Sequence, residues 1–157
     1  MAGVLTSKFD VLRGWPEGPA VDDFFTPKSG ETLVEGSVCV VHTDGTLKKA
    51  VQADVIGDFV QGSTDRRTFW LVVEGTGTDS ATSSGKVMAI TGNFIARTAN
   101  IKTGDTYAAD DRITVDADAA SSGKVTARTG SNECILGEVL EKEGSGADTV
   151  LTISFSL

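Results

Sequence analysis

The clearest pattern in the chain is a strict alternation of residue types over positions 149–157. One set of alternate positions holds Thr149, Leu151, Ile153, Phe155 and Leu157, and the other holds Val150, Thr152, Ser154 and Ser156. Successive side chains of a β-strand point to opposite faces of the sheet. The pattern therefore predicts a strand with one buried face, which ties the C-terminal residues into a sheet.

Two further segments predict strands, one half-buried and one fully buried. In residues 112–119 the apolar set is Ile113, Val115, Ala117 and Ala119, and the polar set is Arg112, Thr114, Asp116 and Asp118. We expect that polar set to form a solvated face. Residues 69–73 are continuously apolar instead, which predicts a strand buried on both faces.

Turn residues separate the remaining apolar segments. Residues 33–42 predict a strand, the Asp44-Gly45 pair predicts a hairpin turn, and residues 47–51 predict the returning strand. Residues 135–140 predict one more strand.

Two near-duplicate phrases, residues 83–92 and 121–130, match at eight of ten positions. Each combines a Ser-Ser-Gly turn, whose glycine supplies positive φ, with a following strand. No catalytic group is repeated in them. They indicate hairpin chemistry used twice within one β-domain.

The composition favours the same fold class. The chain of 157 residues contains 18 Gly and only 3 Pro, and β-branched residues are interrupted by Gly, Ser and Asp. Such a sequence is typical of about eight to ten short strands in a sandwich or barrel. Helical signal is weak, and residues 48–59 could hold one or two helical turns at most.

The first thirty residues differ from the rest. They hold all three prolines and four large aromatic residues, and no regular periodicity persists through them (Phe9, Trp15, Pro16, Pro19, Phe24, Phe25, Pro27). We predict an extended N-terminal arm over 1–30 and a single β-rich domain over 31–157. The arm either packs along its own domain or docks on a partner, through aromatic anchors or by adding a strand to a sheet edge.

The charge and the cysteine content restrict the classes of partner and the compartment that we expect. The formal net charge is −8 and the pI is near 4.5, which disfavours binding to a phosphate backbone. No segment has the length or apolarity of a signal peptide or a membrane span. Cys39 and Cys134 lie in apolar contexts and are expected to be reduced, although one bridge between them stays open. We expect a soluble protein made in a cytoplasm, with neither nucleic acid nor membrane as a partner.

Candidate catalytic and binding chemistry is sparse. His42 is the only histidine, and it precedes the Asp44-Gly45 turn, where a polar residue is ordinary. One histidine and two distant cysteines do not make a zinc site, and the aspartates at 110–111 and 116–118 lack the spacing of a calcium loop. Residues 75–80 and 85–87 do not complete a nucleotide-binding motif. We predict no enzyme, no catalytic residue, no metal and no cofactor.

Four segments together resemble the head-decoration, or cement, proteins of tailed bacteriophages. They are an entry strand within 104–115, a Gly-Lys-Val turn at 123–125, an Ile-x-Gly-x-Val strand at 135–139 and a closing strand with the sequence Asp-Thr-Val-Leu-Thr-Ile at 148–153. The similarity covers roughly residues 104–157 and, more weakly, 31–51. This chain departs from the family's smallest members by an extra region at 60–84.

The resemblance implies a small all-β barrel or sandwich, β-tulip-like, of short antiparallel strands with an extended N-terminal arm. It implies a structural virion protein on the capsid exterior, made in the host cytoplasm, that associates as a homotrimer and clamps the major capsid protein of the head. An arm in this family reaches onto the capsid protein. The predicted interface residues here are Phe9, Trp15, Pro16, Phe24 and Phe25, and deletion of residues 1–26 is expected to abolish capsid binding while leaving a folded domain.

Two alternatives fit the same sequence. One is another phage structural β-protein, of the tail tube or baseplate, which would assemble as rings. The other is a carbohydrate-binding or adhesin-like β-sandwich, for which the candidate aromatic platforms are Trp15, Trp70 and Tyr107. The mass of the assembled species distinguishes the first from a decoration protein, and a glycan array tests the second.

Overall fold

The computed structural model describes residues 9–14, 21–51, 68–74, 86–116, 123–130, 133 and 135–157, with the backbone alone for 9–14, 21–23 and 74. Apart from one short 3-10 helix at Gly146–Asp148, the regular elements of the described residues are all β-strands, so the predicted all-β class is confirmed. No helix in these ranges is long and apolar enough to cross a membrane. The strands are β1 Phe9–Gly14, β2 Val21–Phe25, β3 Val38–Val41, β4 Leu47–Lys49, β5 Phe69–Glu74, β6 Val87–Thr91, β7 Asn93–Thr98, β8 Arg112–Val115, β9 Val125–Ala127, β10 Gly137–Glu143 and β11 Val150–Ser156.

The strands form two antiparallel sheets. The larger has the order β1-β7-β11-β10-β8-β9, and the smaller has the order β2-β6-β5-β3-β4. The chain passes from one sheet to the other between β6 and β7, at Gly92, whose φ is 98°. A glycine at this corner allows the positive φ by which one extended segment serves both sheets.

The N-terminal residues follow that same corner. Strand β1 pairs with β7, from Phe9 opposite Thr98 to Gly14 opposite Phe94, with a bulge between Val11 and Arg13. Strand β2 pairs with β6, from Val21 opposite Thr91 to Phe25 opposite Val87. Strands β1 and β2 therefore each form one terminal strand of a sheet, within the segment where the sequence showed no strand periodicity.

Short segments outside the strands cover the other two terminal strands. Directly after β2, the Leu47 amide donates to Thr26 O at 2.9 Å and the Lys28 amide donates to Leu47 O at 2.8 Å. This contact joins β2's end of the smaller sheet to β4 and curls the sheet. In the larger sheet, the Lys102 amide donates to Val125 O at 2.8 Å, so residues 100–102 lie along β9.

Apolar residues pack in two clusters, one on each face of the smaller sheet. The larger cluster joins the sheets and includes Val38, Leu71, Phe94, Phe155 and Ile113. The second lies on the opposite face and includes Leu33, Cys39, Leu47, Val72 and Val87. Strand β3 contributes to both clusters, and so does β5, as predicted for the continuously apolar run. Strands β3 and β5 of the smaller sheet thus contribute buried residues on both faces.

The C-terminal alternation is confirmed, but the expectation for β8 is partly wrong. Leu151, Ile153 and Phe155 of β11 are buried, with partly exposed residues between them. In β8 the alternation predicts Thr114 and Asp116 on a solvated face, yet both are buried, Asp116 to 2% exposure. The reason is that the loop from Lys102 to Tyr107 covers that face.

The two near-duplicate phrases lead into strands of different sheets. Val87 begins β6 in the smaller sheet, and Val125 begins β9 at the end of the larger one; both are fully buried. Gly123, the turn glycine of the second copy, has φ 75°; its amide donates to Ala50 O at 2.9 Å and its carbonyl accepts from the Val38 amide at 2.8 Å. The second copy thereby fastens the two sheets together. The turn of the first copy, residues 83–85, lies outside the described residues.

Candidate functional site

Two adjacent phenylalanines of β2 point to opposite sides of the strand. Phe25 is half-buried and packs edge-on against Trp70 of β5, with ring centroids 4.8 Å apart and an interplanar angle of 66°. Phe24 is 58% exposed, the largest exposure among the big apolar side chains described. Alternation along the strand explains the difference, because consecutive residues face opposite ways. Phe25 holds β2 to the smaller sheet, and Phe24 presents an aromatic ring to solvent.

The other predicted interface residues lie on the same segment. Phe9 begins β1, where its backbone pairs opposite Thr98, and its side chain is outside what the structure describes. Trp15 and Pro16 fall outside the described residues. The structure therefore brings Phe24 and Phe25 into one strand and places Phe9 in the terminal strand of the other sheet. We call the outer side of β1 and β2 the N-terminal edge.

The N-terminal edge differs from the other ends of the two sheets. Strands β4 and β9 are also terminal, but residues 26–28 and 100–102 lie along them. Each of β1 and β2 has a single strand neighbour within the described residues, β7 and β6 respectively. A terminal strand is the natural place for a partner chain to add to a sheet.

The segment is also acidic. Residues 9–25 contain Asp10, Glu17, Asp22 and Asp23 against a single Arg13, in a chain of net charge −8. An exposed aromatic ring in an acidic sequence segment is suited to a partner surface with apolar and basic groups.

Sequence reasoning missed a polar pocket of about 300 Å³ beside β8 and β9. Its walls carry one ammonium group and three carboxylates, from Lys102, Asp105, Asp116 and Glu133. Lys102 Nζ donates to Asp116 Oδ1 at 3.0 Å, and the Thr126 hydroxyl donates to the Asp105 carboxylate. Lys102 and Asp116 are 14 positions apart in the chain. No local spacing in the sequence could therefore have signalled their contact.

Tyr107 fastens this pocket to the sheet. Its hydroxyl lies 3.0 Å from Lys102 O and 3.3 Å from Val125 O. Burial, together with the nearby Asp105 carboxylate, raises the pKa of the Tyr107 hydroxyl well above its ordinary value. Within the described residues, no group of three or more His, Cys, Asp or Glu side chains is arranged to hold a metal ion. The polar groups around the pocket bond to one another, which attaches the loop over β8 and β9 to these strands.

His42 and Cys39 have the side chains best suited to chemistry, but both make local structural contacts. His42 Nδ1 lies 3.2 Å from Asp44 Oδ1 in the β3–β4 turn, and the Thr46 amide donates to the same Asp44 oxygen at 2.9 Å. Hydrogen bonds from Thr46, and then the contact with His42, lower the pKa of Asp44 to about 2. Cys39 is a free thiol, fully buried, and desolvation raises its pKa, so it stays protonated. Cys134 lies outside the described residues.

Comparison with protein-family models, with curated proteins and with solved structures returned no match to this chain. The functional argument therefore depends on the geometry described above and on the sequence motifs.

Proposed function

We propose that this chain is a non-enzymatic structural virion protein that binds the outer surface of a bacteriophage capsid and stabilises it. The observation that carries the proposal is the N-terminal edge, where Phe24 is 58% exposed on a terminal strand. A large apolar side chain held on a rigid strand is a suitable anchor for a partner pocket, because little conformational freedom is lost on binding.

The many identical binding sites on a capsid explain how a small interaction surface can be enough for stable binding. A capsid presents the same site many times, so many weak contacts act together across the lattice. If the copies also associate with one another, as the predicted homotrimer requires, release of one arm leaves the others engaged. The acidic residues of the edge favour a capsid surface that carries basic groups, and they slow binding to acidic surfaces.

The resemblance to decoration proteins supports the proposal through its motifs, which lie in the central strands. The Ile-x-Gly-x-Val motif places Gly137 and Val139 in β10, and the closing motif places Val150, Thr152 and neighbours in β11. These strands build the platform, whereas the binding residues come from the separate N-terminal segment.

A substitution tests the proposal more cleanly than a deletion. Removing residues 1–26 would take a strand from each sheet, so a loss of binding could follow from unfolding. Phe24→Ala truncates a ring that is 58% exposed, and we expect the free energy of unfolding to change by less than about 0.5 kcal/mol. Co-sedimentation with undecorated phage heads should show an affinity loss of about thirtyfold or more, the size of a hot-spot residue.

Leu140→Ala is the matched control. Leu140 is 44% exposed in β10, three strands along the larger sheet from β1, so its truncation removes a similar apolar surface elsewhere. Its binding to heads should equal that of the unaltered protein. Equal binding by the Phe24 variant, or no binding by the unaltered protein, would refute the proposal.

A further inference from the structure

Residues 9–25 are attached to the domain in an unusual way. Within the described residues, β1 pairs with β7 and β2 pairs with β6, and neither has a second strand neighbour. No described strand lies outside this segment in either sheet. Lifting it away leaves both sheets with all of their remaining strands in order.

The chain immediately after the segment is tied down independently. Thr26 O accepts from the Leu47 amide at 2.9 Å, the Lys28 amide donates to Leu47 O at 2.8 Å, and the Glu31 amide closes a turn onto Lys28 O at 3.0 Å. These contacts do not involve β1 or β2. Release of residues 9–25 therefore leaves the curl of the smaller sheet intact, and the chain pivots next to Phe25.

Release would create an acceptor that only an extended chain can fill. It exposes the main-chain groups of β6 and β7 that now pair with β2 and β1, and the part of the Trp70 ring that Phe25 contacts. An exposed edge of this kind pairs with a strand. The sequence that fits it, in register from Phe25 opposite Val87 to Phe9 opposite Thr98, is this chain's own N-terminal segment.

We propose that residues 9–25 exchange between copies, so that the segment of one copy pairs with β6 and β7 of the next. Each exchanged segment makes the same contacts as it makes within one chain, so the intermolecular form loses no strand pairing. The exchange links neighbouring copies, and Phe24 stays on the outer side of the exchanged strand. The inference goes beyond capsid binding and is tested on the free protein.

The test uses two full-length variants that differ in size by a tag. One carries Asp22→Cys and the other carries Ile90→Cys, because Asp22 and Ile90 are paired across β2 and β6. Opposite Cβ atoms of paired strands are about 4.5–5.5 Å apart, close to the reach of a disulfide. The two variants are mixed at high concentration, oxidised, separated on a non-reducing gel and mapped by mass spectrometry.

Exchange predicts a shift of both chains to a heterodimer linked between positions 22 and 90. Phe25→Ala in both copies should speed that shift, because it removes the contact with Trp70. A mixture of Asp22→Cys with Leu140→Cys copies is the control and should stay unlinked. Mass-spectrometric mapping identifies any disulfide that involves Cys39 or Cys134 instead.

A single chain that carries both Asp22→Cys and Ile90→Cys shows whether β2 pairs with β6 within one copy. If that chain closes internally while the mixed copies remain unlinked, or if neither links, the proposal is overturned; capsid binding by Phe24 is unaffected by either result.

Discussion

At the scale of single residues, Gly137 shows how a missing side chain sets the packing of the larger sheet. A Cβ on Gly137 would lie 2.4 Å from Ser154 O and 3.1 Å from Ile153 Cγ2. Both atoms belong to β11, the paired neighbour of β10. The glycine in the Ile-x-Gly-x-Val motif is therefore required by close approach of two strands in the core.

Gly137→Ala should lower the free energy of unfolding by about 1–3 kcal/mol, since the two strands must move apart to admit the methyl group. Denaturant unfolding measures the change. Gly146→Ala provides the comparison, because a Cβ there meets nothing within 4 Å and only the positive φ of 58° is strained. Equal stability of the Gly137 variant and the unaltered protein would show that the strands are not so closely packed.

At the scale of elements, the loop over β8 and β9 is held by Tyr107, and its titration reports that contact. Tyr107 is the single tyrosine of the chain. Because its pKa is raised in the folded protein, its contribution to stability is fully present below about pH 10 and is lost as the pH rises beyond that. Tyrosinate absorbance should therefore stay absent in the folded protein at pH 10–11 and appear only on alkaline unfolding.

Tyr107→Phe removes the hydroxyl that lies near Lys102 O and Val125 O, and it should cost about 1 kcal/mol at neutral pH. The same variant should be less sensitive to pH above 10 than the unaltered protein. Ionisation of Tyr107 in the folded state at its ordinary pKa would contradict this account of the loop.

Local patterns predicted the elements well where burial follows the chain's own periodicity. The alternation in β11, the apolar run of β5 and the turn at Asp44-Gly45 each depend on neighbouring residues alone. Strands β1 and β2 were not predicted from the sequence, because their pairing with β7 and β6 depends on residues about 60–90 positions away in the chain. The burial of Asp116 was not predicted for the same reason, because Asp116 is buried by contact with a distant lysine and by a covering loop.

At the scale of the whole molecule, two sheets share a core, and their four terminal strands in the described part of the chain fall into two pairs. Residues 26–28 cover β4 and residues 100–102 cover β9, while β1 and β2 together form the N-terminal edge. The segment that the sequence marked as an arm, by its prolines and aromatic residues, thus forms that edge over the residues described. The sequence predicted which segment holds the candidate site. The arrangement of that segment as two edge strands could be seen only from its long-range pairing in the structure.

The central claim is that the N-terminal edge is the surface through which this protein binds a capsid. An electron-microscopy map of phage heads decorated with the full-length protein tests it most directly. The account predicts that β2 and the ring of Phe24 lie against the capsid, with Leu140 of β10 facing solvent. A map in which β10 contacts the capsid and the N-terminal edge faces solvent, or in which the heads carry no bound protein, would contradict it.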